Sequence, residues 1–474
     1  MSALKLHTLK QKLWAIVVAS FVARFIVFLT LPDGPSAFAP DEGAYAKLAK
    51  WVSESKPTSQ FPEFGPGLYQ SSRAIILPAS YLVRLGISEL NSVRLSSSIY
   101  GLFTLILLAI FITWLSENSK ANSSLSRQNV SLITILFAVF AFLPSHFLWS
   151  NLGLREAGNE FWLICVFLLT YSLRENTPVL KCLSAALLPL CIVFVFSSRP
   201  QVGLLVVLTL MLYSLINWRS YFGVQLIVLA VLGLLGGHAS TTSVSLANSK
   251  VLIAKEIPNP SLNKIPFELK EQMENEASKQ CDFPNQRIEV KQTEYICTET
   301  VVPREVPQPI LSKTVGQIDS LPEKQLANQV SAESKIETIT CPINETGTYQ
   351  KLACVILRAP LSSVNFLFRP LPIFDTTSKL SFMASVENLL WIFGFLILAI
   401  RLFKTKVFHF RSHLLPTMMF LSLYVVGAGS YEGNMGTAFR HKSLILSGLL
   451  ILLFSTLIKD NQESGQTSRK ARFN

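Results

Sequence analysis

The sequence predicts an all-α polytopic membrane protein with about ten transmembrane helices and one extracytoplasmic, disulfide-containing loop region. Half of the 474 residues are hydrophobic and only 15% are charged. The mean hydropathy is +0.40, which is too apolar for a soluble chain of this length. Apolar runs long enough to cross a bilayer recur along the chain, and a proline-rich polar stretch, 238–384, interrupts them.

Each apolar run is close to the length that a transmembrane helix needs. The candidate spans are 13–32, 93–115, 130–149, 160–173, 182–197, 201–217, 221–237, 385–400, 414–428 and 443–458. The first span follows Lys5, Lys10 and Lys12, a pattern that is also typical of signal peptides. Because no convincing small-residue cleavage site follows it and more spans come after, we interpret it as a retained helix.

Lys and Arg in the short loops predict that both termini are cytoplasmic, since positive charge is kept on the inner side. Much of the net charge of +12 then reflects topology and contact with anionic lipid. The lipid bilayer is therefore the expected partner, and no motif indicates nucleic acid. The same orientation places outside the segments 33–92, 151–159, 197–201, 238–384 and 429–442.

The chain divides by composition into three regions. An N-terminal transmembrane region, 1–237, includes the first external loop, 33–92. The extracytoplasmic loop region is 238–384, and the C-terminal transmembrane helices and a cytoplasmic tail occupy 385–474. No similar division is visible inside the transmembrane regions, where we find no clear internal repeat.

The external region 238–384 contains four of the cysteines, Cys281, Cys297, Cys341 and Cys354. Cysteines in an exported region predict disulfides. The simplest pairing is Cys281 with Cys297 and Cys341 with Cys354, and the other connectivities stay open. A zinc site is the alternative, but no His lies near these cysteines and no CxxC occurs.

Two adjacent acids, Asp41 and Glu42, follow the first span in the stretch "PDEGAYAKLAKW". Apolar residues then recur at helical spacing, which predicts a helix in the membrane interface. One interpretation is helix capping, because Pro40 suits a first turn and carboxylates meet the positive end of the helix dipole. The other is catalysis, in which a carboxylate takes a proton from a sugar or lipid hydroxyl.

Three further external segments carry charged residues. The turn "SNLGLREAGNEFW" contains Arg155 and Glu156, and "FSSRPQ" places Arg199 between two long apolar spans, where a guanidinium needs an anionic partner. A purely structural alternative for Arg155 and Glu156 is an ion pair that stabilises the end of a helix. In the late loop, Arg440, His441 and Lys442 stand in a row at the outer end of the last span, where the charge rule disfavours them.

Something negative is expected at that late basic run, because Arg is suited to bidentate contact with phosphate. Contact with external lipid headgroups is the simpler interpretation. Together, however, the acids and cations predicted on one membrane face are what transfer from a lipid-linked phosphate requires. A base activates the acceptor hydroxyl, and cations hold the phosphate as it leaves.

These features resemble the membrane glycosyltransferases of the C structural class, in particular the bacterial protein-mannosyltransferase-like and aminoarabinose-transferase-like branch. The resemblance lies in the acidic pair of the first external loop, the "LRE" turn and the late "NMGTAFRHK". It implies a multi-pass protein of the bacterial inner membrane with an extracytoplasmic active site. The donor would be a polyprenyl-phosphate-linked sugar, and the acceptor a lipid, a glycan or a protein.

The same resemblance implies roles for individual residues. Asp41 would be the catalytic base, with Glu42 and Glu156 as supporting or metal-binding acids. The donor phosphate would be held by the basic residues Arg155, Arg199, Arg440, His441 and Lys442. Many relatives carry Asp at the position of Glu156, so use of a divalent metal ion stays open.

Two other classes of function remain open. A polysaccharide polymerase or ligase that uses polyprenyl-diphosphate glycans needs the same cations but depends less on an acid in the first loop. A non-enzymatic membrane component of a cell-surface export assembly would use 238–384 for protein contacts. A transporter is less favoured, because the spans show neither a repeat nor several charged residues deep inside the helices.

Overall fold

The structure is a computed structural model of the chain. It describes residues 2–31, 40–56, 58, 61, 65–118, 127–173, 177–217, 221–248, 286–291, 294–299, 348–371, 379–405, 414–431 and 435–470. Nearly all of these residues lie in helices, which confirms the predicted helical class. The predicted Cys281 and Cys341 lie outside the described ranges.

The first half of the chain forms helices that correspond to the predicted spans and to the first external loop. They are α1 (Ser2–Thr30), α2 (Pro40–Ser53), α3 (Gly65–Gln70), α4 (Arg73–Arg84), α5 (Glu89–Asn118), α6 (Arg127–Phe142), α7 (Pro144–Asn151), α8 (Arg155–Ser172), α9 (Pro178–Ser198), α10 (Pro200–Ile216) and α11 (Tyr221–Asn248). The strands β1 (Gln286–Lys291) and β2 (Glu294–Glu299) form a hairpin. Beyond it, the described residues form the helices α12 (Thr348–Phe368), α13 (Lys379–Thr405), α14 (Leu415–Tyr431) and α15 (Met435–Lys470).

Six segments in the described part of the chain are long and apolar enough to cross a membrane. They are His7–Thr30, Glu89–Glu117, Gln128–Asn151, Pro178–Ser198, Phe382–Phe403 and Arg440–Ile458. Shorter apolar helices cover Pro200–Ile216, Phe222–Gly236, Ile356–Phe368 and Leu415–Ser430. The chain is thus a helical protein with several membrane-spanning segments, and the total of about ten spans stays a prediction.

The helix α15 lies at the centre of the bundle, because 94% of its apolar window is buried inside the protein. It packs against α8, α13 and α14. The helix α1 is peripheral and packs on α5 and α6, with large apolar side chains such as Phe21, Phe25 and Leu29 exposed. Exposed apolar rows of this kind are expected where a helix faces lipid.

Within 33–92, the described helices α2 and α4 pack against each other and against α5. The apolar residues Tyr45, Leu48 and Ala49 of α2 are buried in a cluster with Ile75 and Val93. The buried row at helical spacing on α2 is the one that the sequence predicts. Since removing a large apolar side chain from water stabilises a fold by about 1.5–3 kcal/mol, this cluster fixes the position of α2.

Several helix boundaries differ from the predicted limits of the spans. The span predicted at 130–149 is divided at Leu143, because Pro144 begins a new helix and cannot continue the previous one. The helix α11 continues to Asn248, beyond the predicted limit at 237. The helix α12 lies within 238–384, where we predicted no apolar run able to span a membrane, and its apolar part, Ile356–Phe368, is shorter than a span.

The helix α12 is amphipathic. Leu357 is 80% exposed, whereas Phe366 is buried in the main core and the helix packs against α14. At its end, Asn388 Nδ2 donates to the carbonyl oxygens of Phe368 and Pro370. Because Asn388 lies well inside α13 rather than at its start, these bonds place the end of α12 within the bundle.

The disulfide prediction concerns the region that precedes α12. Cys354, in the first part of that helix, is disulfide-bonded. Cys297 pairs with Ile288 in the register of the antiparallel hairpin β1–β2. The pairing of the four cysteines stays a prediction.

Cys182 offers a test of the predicted orientation. It is a free, exposed thiol near the start of α9, at an end that the charge rule places in the cytoplasm. We expect a membrane-impermeant maleimide to modify Cys182 in permeabilised cells and to leave it unmodified in intact cells, as read by mass spectrometry. Modification in intact cells would reverse the topology and with it the side of the candidate site.

Candidate functional site

Asp41 and Arg440 meet although they are far apart in sequence. Arg440 Nη1 donates to Asp41 Oδ2 at 2.7 Å, which joins the start of α2 to the start of α15. The pair is partly open, with side-chain exposures of 50% for Asp41 and 25% for Arg440. The guanidinium also lies over the ring of Trp149, 5.6 Å from its centroid, a geometry in which the aromatic face attracts the cation.

Next to this pair, Glu156, Arg199 and His441 form a second group. Arg199 Nη2 donates to Glu156 Oε1 at 2.6 Å, and Arg199 Nη1 contacts His441 Nε2. Since a guanidinium has only donors, this contact requires Nε2 of His441 to accept. The end of α9 and the starts of α8 and α15 therefore converge here.

The charges in this group are strongly coupled. Burial by itself raises the pKa of Glu156, but Arg199 and Arg155 outweigh it and hold the pKa at about 2. Burial lowers the pKa of Arg199, and Glu156 opposes this so that the net direction is upward. Glu156 is therefore a carboxylate at any physiological pH, and Arg199 is a cation.

Arg155 lies beside these groups and is held by the first external loop. Its Nη1 donates to the hydroxyl of Ser71 at 2.9 Å and to the carbonyl oxygen of Ser71 at 3.2 Å. The buried Nε groups of Arg155 and Arg199 find no acceptor among the residues that the structure describes. A buried donor without an acceptor costs free energy, so an anion between these two arginines would be stabilised.

The phenol of Tyr45 is a further neighbour, four residues after Asp41 on α2 and therefore on the same helix face. Tyr45 is only 2% exposed. Burial raises its pKa, and the charged groups that act on it are those of the cluster: Arg155, Glu156, Asp41 and Arg199. The predicted acids and cations, apart from Glu42 and Lys442, thus lie close together where the end of α9 and the starts of α2, α8 and α15 meet.

A glycine allows the turn between α7 and α8 to reach this cluster. Gly153 has φ +66, and a Cβ atom there would lie 2.9 Å from Val93 Cγ1 and 3.3 Å from the backbone nitrogen of Arg94. Any other residue would be strained and would push α5 away. The close approach sets Arg155 and Glu156, at the start of α8, against the other site residues.

Glu42 does not lie in the same cluster as Asp41, although the sequence predicted that both acids belong to one site. It is completely buried and pairs with Arg94 of α5, which is also completely buried. Adjacent residues of a helix point about 100° apart, so one acid faces the open cluster and the other faces α5. This position favours a structural role for Glu42 and argues against the predicted metal-binding one.

Lys442 is also directed away from the cluster. It is 2% exposed, and its Nζ donates to Asn388 Oδ1 at 2.9 Å and to the carbonyl oxygen of Arg369. It thus caps the end of α12 together with Asn388. The row Arg440, His441 and Lys442 therefore supplies two residues to the site, not three, because consecutive side chains leave the helix in different directions.

The structure offers little to the predicted metal ion. Within the described ranges, no group of three or more His, Cys, Asp or Glu side chains has the arrangement of a metal site. The two supporting acids, Glu42 and Glu156, belong to separate ion pairs with arginines. These residues do not fit a shared metal, and metal use stays a prediction.

A separate polar group lies inside the bundle. His146 Nδ1 donates to Glu160 Oε2 at 2.9 Å, and Ser447 donates to Glu160 Oε1 at 3.0 Å. Arg24, 3% exposed, lies over the ring of Phe147 at 4.9 Å. Ionisable side chains are therefore buried inside the bundle, and the preference against a transporter stays a prediction.

Sequence reasoning missed two residues that contact the site, Trp149 and Ser71, and also Arg94, the buried partner of Glu42. One of them had a visible signal, because Arg94 is a charged residue at the edge of an apolar span and such a residue needs an anionic partner. The positions of Trp149 and Ser71 follow from the packing of α4 and α7 and leave no local pattern in the sequence.

Comparisons with known proteins found no match for the chain among protein families, curated proteins or solved structures. The functional argument therefore depends on the chain's own residues.

Proposed function

We propose that the protein is a membrane glycosyltransferase that moves a sugar from a polyprenyl-phosphate donor to an acceptor hydroxyl on the extracytoplasmic face. The observation that carries the proposal is the convergence of Asp41 with Arg440, Arg199 and Arg155 at one set of helix ends. A partly exposed carboxylate lies beside a group of cations that retains unsatisfied donors. This arrangement is suited to deprotonating a nucleophile while a phosphate is held nearby.

The proposed reaction uses these groups in one displacement. Asp41 takes the proton of the acceptor hydroxyl, and the acceptor oxygen forms a bond to the anomeric carbon of the sugar. The bond between that carbon and the phosphate oxygen breaks, and its electron pair stays on the phosphate. Polyprenyl monophosphate leaves with an additional negative charge, which the guanidinium groups stabilise.

The charge of the cluster suits a phosphate monoester or diester better than a neutral ligand. Three guanidinium groups, of Arg155, Arg199 and Arg440, face two carboxylates, of Asp41 and Glu156. One cation is in excess before a ligand arrives, and a phosphodiester carries one negative charge. Negative charge builds up on the phosphate as its bond to the sugar breaks, so the same cations stabilise the transition state more than the bound donor, as catalysis requires.

The acceptor is a lipid, a glycan or a protein, and the proposed location is a bacterial inner membrane. A polymerase or ligase that uses polyprenyl-diphosphate glycans is the second candidate, favoured by the same guanidinium groups. Asp41 distinguishes the two, because only the first requires a base at that position. A non-enzymatic role in an export assembly predicts that neither Asp41 nor the arginines affect any sugar transfer.

Removal of Arg440 tests the phosphate assignment. We expect Arg440→Ala to weaken binding of a polyprenyl-phosphate sugar by about 1.5–3 kcal/mol, the scale of a charge-assisted contact, without loss of the fold. Binding is measured by titration of the purified protein in lipid nanodiscs. Arg84→Gln is the matched control, because Arg84 is an exposed arginine that bonds to backbone oxygens of Val52 and Ser53 away from the cluster.

The control variant should bind the donor like the wild type. If Arg440→Ala also keeps wild-type donor affinity while its unfolding temperature is unchanged, Arg440 contacts lipid headgroups and does not bind the donor.

A further inference from the structure

The contact between Asp41 and Arg440 has a consequence for the order of events at the site, and it rests on the function proposed above. The same guanidinium that is assigned to the donor phosphate is engaged by the proposed base, 2.7 Å from Asp41 Oδ2. While Asp41 Oδ2 accepts the hydrogen bond from Arg440, that oxygen is engaged and is not open to the proton of an acceptor hydroxyl. In the protein without donor, Arg440 therefore blocks this oxygen of the proposed base.

We propose that the donor phosphate frees the base: its oxygens take the guanidinium of Arg440 from Asp41, so Asp41 can accept the acceptor's proton only after the donor has bound. The donor then binds before the acceptor.

The geometry around Arg440 permits such an exchange. Its side chain is 25% exposed, so a ligand can reach it. One face of the guanidinium lies on the ring of Trp149, which supports the cation without using its N–H groups. The hydrogen bond to Asp41 uses Nη1, and a phosphate oxygen can replace the carboxylate oxygen with little movement of the side chain.

Neighbouring ion pairs are less open to exchange. Arg199 and Glu156 are nearly buried, with side-chain exposures of 10% and 5%, and Arg94 and Glu42 are fully buried. Asp41, at 50% exposure, is the most exposed acid of these three pairs. Replacing the carboxylate of a partly exposed pair costs little, because such pairs contribute little to stability.

The proposal makes an unusual prediction about Asp41→Asn. The variant should bind undecaprenyl phosphate about two- to fivefold more tightly than the wild type, the scale set by a partly exposed ion pair, because the phosphate then competes for Arg440 with a neutral amide and not with a carboxylate. In an Arg440→Gln background the same substitution should leave affinity unchanged. Affinities are measured in nanodiscs, with unfolding temperatures recorded for every variant.

Glu54→Gln is the control for a general change of charge, because Glu54 is an exposed acid just beyond α2 that pairs with Lys56 and not with the cluster. The affinity of Glu54→Gln for undecaprenyl phosphate should equal that of the wild type. The exchange is overturned if Asp41→Asn binds undecaprenyl phosphate no more tightly than the wild type does. It is also overturned if Asp41→Asn increases the affinity by the same factor in the Arg440→Gln background. Either result leaves the proposed function intact. If the wild type fails to bind undecaprenyl phosphate, the donor class itself is wrong and both proposals fall.

Discussion

Asp41→Asn is expected to lower the turnover of sugar transfer by about a hundredfold or more, the scale of losing a general base. The substitution keeps the size of the side chain, and its amide oxygen can still accept from Arg440. An amide does not take up a proton from a hydroxyl, so the chemical step should fail while the fold persists. Turnover is measured with purified protein, a polyprenyl-phosphate sugar and extracted acceptor lipids or glycans.

The same substitution separates catalysis from helix capping. Asn caps a helix about as well as Asp, so a carboxylate that only begins α2 can be replaced with little effect. The expected signature is a large loss of turnover combined with donor affinity that is not weakened. Near wild-type transfer by a pure Asp41→Asn protein would show that the carboxylate is structural, and would favour the diphosphate-dependent or non-enzymatic alternatives.

The sequence predicted most of the helices correctly because a bilayer imposes a simple requirement. A spanning segment must be helical and apolar over a fixed length, so hydropathy alone locates α1, α5, α9 and α13. Hydropathy did not indicate the helix α12, because its apolar part, Ile356–Phe368, is shorter than a full span and contains Pro360. Packing against α14, which no local pattern records, stabilises it.

The site shows a similar limit. The loop charges predicted which helix ends share a side, and Asp41, Glu156, Arg155, Arg199, Arg440 and His441 do meet there. Glu42 and Lys442 are neighbours of these residues in sequence but not in space. Which way a side chain points is decided by the rotation of its helix, and that rotation is set by the packing of α2 and α15 against the bundle.

The second large effect expected is on stability. Arg94→Met removes one member of a completely buried ion pair and leaves Glu42 charged without its partner. Breaking a buried pair in this way costs about 3–5 kcal/mol, so the unfolding transition should move to markedly lower temperature or denaturant concentration. Unfolding is followed in one detergent, with Arg84→Gln as an exposed arginine control that should change stability by no more than about 0.5 kcal/mol.

The double variant Arg94→Met with Glu42→Leu decides what Glu42 does. Replacing both members of a buried pair by apolar side chains is often neutral or stabilising, so most of the lost stability should return. Because α2 is also held by the apolar contacts of Tyr45, Leu48 and Ala49, Asp41 should keep its position and sugar transfer should recover with the fold. A double variant that is as stable as the wild type but inactive would return Glu42 to the active site, as the supporting or metal-binding acid that the sequence predicted.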